Sequence, residues 1–345
     1  MNMDQKVYDI TVIGAGPVGL FAAYYAGFRD LSCKIIDCLP QIGGQLTTLY
    51  PQKFVYDVAG FPKILATELV DNLYKQALQY NPPICLEERV QQIFYLEDGT
   101  MKLTTDKTEH RTKKVILTAG AGVFTPRKLE LEAVKRFENN GFYYGVKDPA
   151  FFRGKKLLVI GGGDTALDWA LHLKNLAQKT FLIHRSNKFL AAASSVRHLM
   201  NSNVEVYTHT ELKDILGNEH IEGAVIVNKA VNEEKTLDVD TILCCTGYTP
   251  NLGPIKEWGL ELFASTIKVN PRMETNLPGV YAAGDVATYE GKLRLICTGF
   301  SDAAVAVNYA AHSIYPELRV FPGYSTNVME QKEEEKLAHK TQIPG

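Results

Sequence analysis

Two glycine-rich loops are the segments of this sequence best suited to do chemistry, and the first reads GAGPVG after a β-branched run. Gly14 permits a tight turn, Gly16 lets backbone N–H groups approach a pyrophosphate, and Gly19 allows close packing of helix on strand. The strand that follows the helix ends in Asp37, whose carboxylate can accept hydrogen bonds from an adenosine ribose. Strand, loop, helix, strand and acid in this order predict a dinucleotide-binding unit.

The second loop reads GGGDTA and again follows an apolar strand, with Ala166 at the third small position. The next strand ends in His184 and Arg185, where the first unit has an acid. Arg185 and Lys188 suit the additional phosphate of NADPH through charge-assisted contacts, although both also fit ordinary solvated surface charges. The residues predicted to bind this second nucleotide are Gly161, Gly162, Gly163, Asp164, Thr165, His184, Arg185 and Lys188.

The elements around these loops follow from periodicity. Apolar residues recur at helical spacing between Leu65 and Ala77, and alternation on both sides of Asp98-Gly99 predicts a β-hairpin. Towards the C-terminus an apolar strand ends in Gly284-Asp285, and a helical pattern begins near Gly299. This late strand and helix are expected to complete the domain that the first glycine loop begins.

The order of the elements therefore predicts that one nucleotide domain is inserted into another. Residues 1–120 and 247–330 are expected to form the first domain and residues 121–246 the second, with a charge-rich tail at 331–345 that is either a solvated helix or a frayed end. We predict an α/β protein with two Rossmann-like dinucleotide-binding domains in three β-β-α layers.

Composition excludes several classes of function. Lys and Arg number 37 against 39 Asp and Glu, a formal charge of −2, and no basic block suits a nucleic acid. No apolar run approaches the ~18 residues of a membrane span, and the N-terminus lacks a signal-peptide pattern, so a cytoplasmic protein is expected. The six cysteines show no paired Cys-x-x-Cys spacing with histidines, which argues against a zinc or iron–sulfur site.

The motifs GAGPVG, GGQ, GGGDTA, CTGYTPN and GVYAAGD, in this order and spacing, resemble those of the flavoprotein pyridine nucleotide oxidoreductases of thioredoxin reductase size. The resemblance covers nearly the whole chain. Two further segments, QLTTLYPQKFVYDVAGFPKI and the C-terminal FPGYSTN, are similar to the thioredoxin-reductase-like ferredoxin-NADP+ reductases. By resemblance the sequence is identified as a member of that branch.

The resemblance implies that the first and last segments bind FAD and that the inserted segment binds NADPH. Tyr50 and Tyr324 match the residues that stack on the two faces of the isoalloxazine. Asp285 matches a contact to the ribityl chain, and the helix near Gly299 would direct its positive end toward the flavin. Further matches to the FAD site are Gln45, Val90, Phe124, Ser325 and Thr326.

The resemblance also identifies what this sequence lacks. In thioredoxin reductases two redox cysteines precede the second glycine loop, and Tyr144 and Lys147 occupy those positions here. A phenol and an ammonium cannot replace a thiolate pair, so electrons are expected to leave directly from the flavin, without a catalytic side chain, to a ferredoxin or flavodoxin. The family further implies a homodimer and a rotation of the inserted domain, with hinges near 119–124 and 246–251.

The sequence departs from the family near the end of the second-domain strand, and three alternative functions are compatible with its motifs. Ser186 and Leu190 stand where the family often has arginine, so the preference for NADPH over NADH is expected to be weaker. A disulfide reductase would have to use Cys244 and Cys245, at the end of a buried strand. A quinone or small-molecule reductase would need only reduced flavin, and a non-catalytic nucleotide sensor would need no acceptor at all.

Overall fold

The computed structural model describes residues 6–341 apart from 50, 52, 121 and 147, and it describes the backbone alone at 123–125, 249–250, 333 and 335–341. The chain forms two compact units, Met1–Val123 with Asn251–Gly345 (unit 1) and Phe124–Pro250 (unit 2). The strands are β1 (Val7–Ile13), β2 (Cys33–Ile36), β3 (Phe54–Val55), β4 (Ile64–Leu65), β5 (Ile84–Cys85), β6 (Val90–Tyr95), β7 (Met101–Thr105), β8 (Glu109–Leu117), β9 (Val123–Pro126), β10 (Phe142–Tyr143), β11 (Lys156–Ile160), β12 (Lys179–His184), β13 (Glu205–Thr208), β14 (Thr210–Leu216), β15 (Gly223–Asn228), β16 (Glu233–Leu237), β17 (Thr241–Cys244), β18 (Tyr248–Asn251), β19 (Leu262–Phe263), β20 (Thr266–Lys268), β21 (Val280–Ala282) and β22 (Ala287–Thr288). The helices are α1 (Pro17–Phe28), α2 (Gln45–Thr48), α3 (Ala66–Ala77), α4 (Glu132–Phe137), α5 (Asp164–Leu173), α6 (Ala193–Met200), α7 (Ile296–Ile314) and α8 (Ser325–Thr341).

Unit 1 is built on a parallel sheet in the order β5–β2–β1–β8–β21. The first part of β8 also pairs antiparallel with β7, and β7 pairs with β6 across Asp98–Gly99, which confirms the predicted hairpin. Because successive side chains of a strand face opposite sides of a sheet, Val12 packs among the helices α1, α3 and α7 whereas Ile13 packs against β6 and β7. The unit therefore has the predicted β-β-α layers.

The carboxyl ends of the parallel strands bring distant parts of the sequence to one edge of unit 1. Gly14 follows β1, Asp37 follows β2 and Thr118 follows β8, and parallel pairing places all three at the same edge. Backbone hydrogen bonds fix the loops there, since Gly14 N donates to Ile36 O at 2.9 Å and Thr118 N donates to Ile13 O at 2.8 Å. This edge is the base of the first candidate site.

Unit 2 repeats the arrangement with its own elements. Its parallel sheet has the order β10–β17–β11–β12–β13, and β14, β15 and β16 form a separate antiparallel sheet. Leu158 of β11 packs with Ile226 of the antiparallel sheet, whereas Val159 packs with Leu167 of α5. The second glycine loop follows β11 and so also lies at the carboxyl edge of a parallel sheet. The chain enters and leaves this unit through β9 and β18, which pair with each other.

The helix that follows the last strands of unit 1 starts earlier than the sequence predicts. α7 begins at Ile296 rather than near Gly299. The hydroxyl of Thr298 accepts a hydrogen bond from Leu295 N at 3.3 Å, which satisfies an amide at the new N-terminus. In the described part of the chain, no helix combines the length and the apolar character that crossing a membrane requires.

The charge-rich tail is part of a helix, which is one of the two expected alternatives, and its described residues Gln331 and Glu334 are exposed. α8 extends from Ser325 to Thr341, so it begins before the expected tail at 331. Lys332 ties this helix to the end of α1, because its Nζ donates to Phe28 O at 2.7 Å and to Asp30 Oδ1 at 2.8 Å. A run of charges that reads as solvated in the sequence therefore includes at least one side chain with a tertiary role.

Candidate functional site

The first cradle begins at the glycine loop between β1 and α1. Gly14 has φ +115°, and a Cβ there would lie 2.6 Å from Thr118 O, so only glycine fits this turn. A Cβ on Gly19 would lie 1.8 Å from Gly14 O, which shows how closely α1 packs on the loop. Gly16, the N-cap of α1, is different because a Cβ there would meet no atom within 4 Å. The open space beside Gly16 suits a pyrophosphate at the helix N-terminus.

Asp37 supports this loop from the end of β2. The residue is buried, with 7% of its surface exposed, and its Oδ2 accepts from Ala15 N at 2.5 Å while its Oδ1 accepts from Leu39 N at 2.8 Å. Burial raises the pKa of the Asp37 carboxyl, and the two amide donors oppose that rise. The carboxylate holds the glycine loop and keeps lone pairs that can accept from ribose hydroxyls.

A second glycine pair brings α2 onto the same loop. Gly44 lies so close that a Cβ on it would come within 3.2 Å of Gly16 Cα. Gln45, a predicted FAD contact, is the first residue of α2, and its Nε2 would lie 3.2 Å from a Cβ on Gly120, which follows β8. The amide of Gln45 is therefore placed at the same edge of the sheet as the glycine loop.

The Gly284–Asp285 turn and the start of α7 complete the first cradle. Gly284 has φ +79°, and Cβ atoms on Gly284 and Gly299 would lie 3.0 and 2.5 Å from Val18 Cγ2, so both segments pack on the first turn of α1. Burial raises the pKa of the Asp285 carboxyl. We define the first cradle as Gly14–Gly19, Asp37, Gly43–Gln45, Gly284–Asp285 and the first turn of α7.

The second cradle lies in unit 2 and is formed by residues 161–165 and 184–192. Gly161 has φ +146°, and a Cβ on it would lie 2.4 Å from Cys245 O. Gly163 is the N-cap of α5, and a Cβ there would meet no atom within 4 Å, as at Gly16. Asp164 Oδ1 accepts from Ala192 N at 3.1 Å and ties the two segments together. The donor groups of a free helix N-terminus again suit a pyrophosphate.

His184 and Arg185 differ sharply in their surroundings. The His184 ring is buried against Gly162, where a Cβ would come within 2.3 Å of Nδ1, and it stacks on Phe189 with centroids 5.1 Å apart. Its Nε2 lies 3.1 Å from Lys188 O. Arg185 and Lys188 are exposed. His184 therefore shapes the loop, whereas Arg185 and Lys188 present positive charge to solvent beside it.

The position of the missing redox cysteines is partly described. Lys147 lies outside the described residues, and Tyr144 is part of the core of unit 2, where its hydroxyl accepts from Leu129 N at 3.2 Å. Burial raises the pKa of the Tyr144 phenol. Cys244 and Cys245 are buried free thiols, and burial raises the pKa of each. Thiols that stay protonated in an apolar environment are poor nucleophiles for disulfide exchange.

The other predicted FAD residues fall into three groups. Tyr50 and the side chain of Phe124 lie outside the described residues. Val90 starts β6 and is buried in the core of unit 1. Tyr324 is 75% exposed and its ring meets Phe321 at 5.7 Å. Ser325 and Thr326 are exposed at the start of α8, so these C-terminal residues are presented to solvent in the single chain.

Sequence analysis missed a buried charged cluster beside the first cradle. Asp302 of α7 is 2% exposed, and it contacts Lys292 Nζ while accepting from Tyr289 OH at 2.8 Å and from Gly284 N at 3.0 Å. The sequence held one signal of this cluster. Asp302 lies three residues after Gly299 on the stripe that α7 buries, where a charged residue needs a partner.

A second missed cluster combines side chains that often bind metals. The ligand atoms of Cys85, Glu88 and His110 lie within 4.8 Å of one another. Lys34 Nζ, however, lies 2.7 Å from His110 Nδ1, and Glu88 Oε1 lies 2.6 Å from His110 Nε2. A metal-bound histidine normally donates its other N–H to an acceptor, which an ammonium is not. The cluster fits a buried hydrogen-bonded chain from Lys34 to Glu88 better than a metal site.

Comparisons with known proteins agree with this geometry. The family model of the pyridine nucleotide-disulphide oxidoreductases matches residues 8–310. Ferredoxin--NADP reductase 2 of Bacillus licheniformis is 50% identical over 332 residues, which cover 96% of this chain and 100% of that protein. Ferredoxin--NADP reductase of Geobacillus thermodenitrificans is 48% identical over 94% of this chain and 98% of its own. The crystal structure of T. acidophilum thioredoxin reductase is similar with a TM-score of 0.76 at 26% identity, over 91% of this chain and 100% of that chain.

Proposed function

The chain belongs to the pyridine nucleotide-disulphide oxidoreductase family, and on that premise we propose that it is a ferredoxin–NADP+ reductase. The observation that carries the proposal is 50% identity, over 96% of the chain, to an enzyme of that name. The reaction transfers a hydride between NADPH and FAD and single electrons between FAD and a ferredoxin or flavodoxin. Bound FAD supplies the conversion between two-electron and one-electron chemistry.

The first cradle provides the groups that would hold FAD. The amides at the start of α1 face the open space at Gly16 and would receive the pyrophosphate, and Asp37 would accept from the adenosine ribose. Asp285 would accept from the ribityl chain. The N-terminus of α7 carries partial positive charge, which favours negative charge on the reduced cofactor.

The second cradle carries its cations at the surface, which suits an exchanging nucleotide. Gly163 leaves space for the NADPH pyrophosphate at the start of α5, and the exposed Arg185 and Lys188 would pair with its additional phosphate. Ser186 is occupied locally, since its hydroxyl accepts from Lys188 N at 3.1 Å. The selectivity for NADPH therefore depends on two cations, which supports a modest preference over NADH.

The described cysteines support direct electron transfer to the acceptor rather than a disulfide relay. The residue at the first redox position, Tyr144, is a packed phenol, and Cys244 and Cys245 are buried thiols. A protein that accepts single electrons can take them from the flavin edge without covalent chemistry. Charge complementarity at that edge would set the rate of docking.

The C-terminal segment supports a homodimer. Arg29, at the C-terminal end of α1, donates to Arg319 O at 2.8 Å and Val320 O at 3.2 Å, and Lys332 binds the same end of α1. The glycine loop of the first cradle lies at the other end of that helix. The exposed Tyr324 is thus anchored away from the loop of its own chain, which suits stacking on the flavin of a second copy. Sedimentation equilibrium, with and without residues 321–345, tests this.

A cytoplasmic location is proposed on chemical grounds. None of the six cysteines, all of which lie among the described residues, forms a disulfide, which suits a reducing compartment, and NADPH and ferredoxins or flavodoxins are the partners that the proposed reaction needs. Fractionation of cells that express a tagged chain would check the location.

Reduction of cytochrome c by the purified holoprotein tests the proposed function. With NADPH as donor, added ferredoxin is expected to increase the rate strongly, and NADH is expected to be a poorer donor. Ferredoxin independence together with rapid quinone reduction would show a general flavin reductase instead. Flavin reduction that stays absent with either nucleotide would favour a non-catalytic role.

A further inference from the structure

We infer that Lys292 and Asp302 are positioning residues of the FAD site, an inference that rests on the proposed function. Asp302 holds the Gly284–Asp285 turn in place, and Lys292 balances the negative charge that Asp302 brings to the first cradle. Neither residue belongs to a glycine loop or to any nucleotide motif of the sequence, and the contacts that carry the inference are tertiary.

The hydrogen bonds of Asp302 link α7 to the turn. Its Oδ2 accepts from Gly284 N at 3.0 Å and contacts Lys292 Nζ, and its Oδ1 accepts from Tyr289 OH at 2.8 Å. Gly284 has φ +79°, a conformation that glycine adopts readily but that would strain most other residues, so hydrogen bonds rather than a side chain hold this turn. The carboxylate of Asp302 therefore fixes the backbone one residue before Asp285, the residue that is expected to contact the ribityl chain.

The burial of Lys292 and Asp302 is unusual for two charged residues. The side chains of Lys292 and Asp302 are 5% and 3% exposed, although Lys292 belongs to an irregular segment between Thr288 and α7 whose neighbours Leu293 and Arg294 are exposed. Burial of an ion pair contributes little net stability compared with apolar residues, and the loss of one partner leaves a costly unpaired charge. The pair therefore has a role beyond general stability.

The charges act on the same acid that the turn presents. Lys292 and Arg294 lower the pKa of Asp285, Asp302 raises it, and burial, the largest influence, raises it further. Without Lys292, the carboxylates of Asp285 and Asp302 would lie beside a bound anionic dinucleotide without the positive charge that balances them. With Lys292 but without the Asp302 charge, the cradle would gain an unbalanced positive charge. Since reduction of the bound flavin adds negative charge, the two changes should move its midpoint potential in opposite directions.

A more exposed cluster, which joins the C-terminal end of α7 to β1 and β8, provides a control. At the C-terminal end of α7, Tyr315 OH donates to Asp9 Oδ1 at 2.9 Å, and Lys113 Nζ lies 2.8 Å from the same carboxyl oxygen. This cluster has the same three residue types, but it lies roughly 20 Å along the helix from Asp302, away from the first cradle. Substitutions there should change stability without changing the flavin.

The test compares Lys292→Met, Asp302→Asn and their double variant with Lys113→Met. FAD dissociation constants are measured by fluorescence titration of apoprotein, midpoint potentials by dye equilibration, and melting temperatures with and without FAD. Lys292→Met should lower the potential and weaken FAD binding about tenfold. Asp302→Asn should raise the potential, and the double variant should return it toward the wild-type value. Lys113→Met should lower the melting temperature alone.

Three outcomes would overturn the inference. The first is that the midpoint potential stays unchanged in both single variants. The second is that the potential shifts in the same direction in both, because a purely structural pair would loosen the cradle in the same way whichever partner is removed. Asp302→Asn preserves shape and folds most readily, so its potential decides the sign even if Lys292→Met does not fold. The third is a wild-type chain that fails to bind FAD, which would first overturn the proposed function.

Discussion

Both cradles are built from a strand, a glycine loop and a helix, but the first buries its charged side chain at the end of the second strand and the second exposes it. In unit 1 the second strand leads to Asp37, a buried carboxylate that already accepts two backbone hydrogen bonds. In unit 2 the corresponding strand ends in His184, whose ring is buried against Gly162 and Phe189, and the charged Arg185 beyond it is exposed. A recognition group that is fixed before binding reduces the entropy lost on binding, whereas exposed side chains must be ordered each time.

This difference supports the proposal that the first cradle holds a resident FAD and the second an exchanging NADPH. A tightly held FAD benefits from a rigid carboxylate, a turn fixed by Asp302 and glycines that no other residue could replace. NADPH must bind and leave in every turnover, so cations that reach into solvent serve it better than a buried cage. On this proposal, the same strand–loop–helix unit holds one cofactor through many turnovers and the other for a single turnover, and the burial of a few side chains makes the difference.

The largest expected effect comes from filling the open space in each cradle. Gly16 and Gly163 both have room for a Cβ, so Gly16→Val and Gly163→Val should fold but block a pyrophosphate. Gly16→Val is expected to weaken FAD binding by about a hundredfold or more, equivalent to roughly 2.8 kcal/mol. Gly163→Val should keep FAD and lose reduction by NADPH. Flavin absorbance after purification measures the retained FAD, bleaching of that absorbance on addition of NADPH measures reduction, and the melting temperature measures folding.

If both variants lost FAD, the comparison would fail, because unit 2 would then contribute to the resident cofactor. Circular dichroism of each variant controls for folding. A Gly145→Val variant provides a further control, since Gly145 has no positive φ, a Cβ there would meet only the Tyr248 hydroxyl at 3.7 Å, and the residue lies outside both cradles.

The next effect concerns the exposed cations. Arg185→Ala should raise KM for NADPH about ten- to fiftyfold, the value of a charge-assisted hydrogen bond, and leave KM for NADH nearly unchanged. Lys188→Ala should act in the same direction but less strongly. Steady-state kinetics with each donor, and Lys174→Ala on the opposite end of α5 as control, test this. Equal losses for NADPH and NADH would mean that Arg185 supports the loop rather than the phosphate.

The glycine loops could be predicted from the sequence because their chemistry is local. Gly14, Gly16 and Asp37 occur at fixed distances along the chain, and the parallel sheet brings them together in the only way that its topology allows. Several helices and strands could be predicted as well, because each carries its own periodicity in the sequence.

The remaining contacts could not be predicted because their partners are far apart or differ only in burial. Lys292 looks like any loop lysine, and nothing in its neighbours shows that its ammonium reaches Asp302 inside unit 1. His110 and Lys34 meet across strands whose pairing must be known first. Lys332 belongs to a charge-rich run that predicts a solvated segment, yet its Nζ closes the end of α1.

A smaller effect is expected from pH. Burial raises the pKa of Asp37 in the apoprotein, and hydrogen bonds from ribose hydroxyls favour its charged form, so FAD binding should lower that pKa. Affinity for FAD is then highest above the apoprotein pKa and falls as the pH decreases through it. Titrations between about pH 8 and about pH 5 measure the slope. Asp37→Asn should bind more weakly at neutral pH and lose this dependence, and a slope that persists in Asp37→Asn would assign it to another group.

The smallest effect is expected at Cys244 and Cys245, and it separates this chain from disulfide reductases of the same family. Both thiols are buried, and burial raises their pKa, so they remain protonated and unreactive at neutral pH. Cys244→Ala and Cys245→Ala should change the rate of ferredoxin reduction by no more than about twofold, through loss of packing alone. Cys297→Ala serves as a control for thiol removal in unit 1. A loss of activity confined to Cys244→Ala or Cys245→Ala, with FAD content and melting temperature unchanged, would place redox chemistry beside the second cradle and remove the distinction between a resident flavin and a simple nucleotide-exchange site.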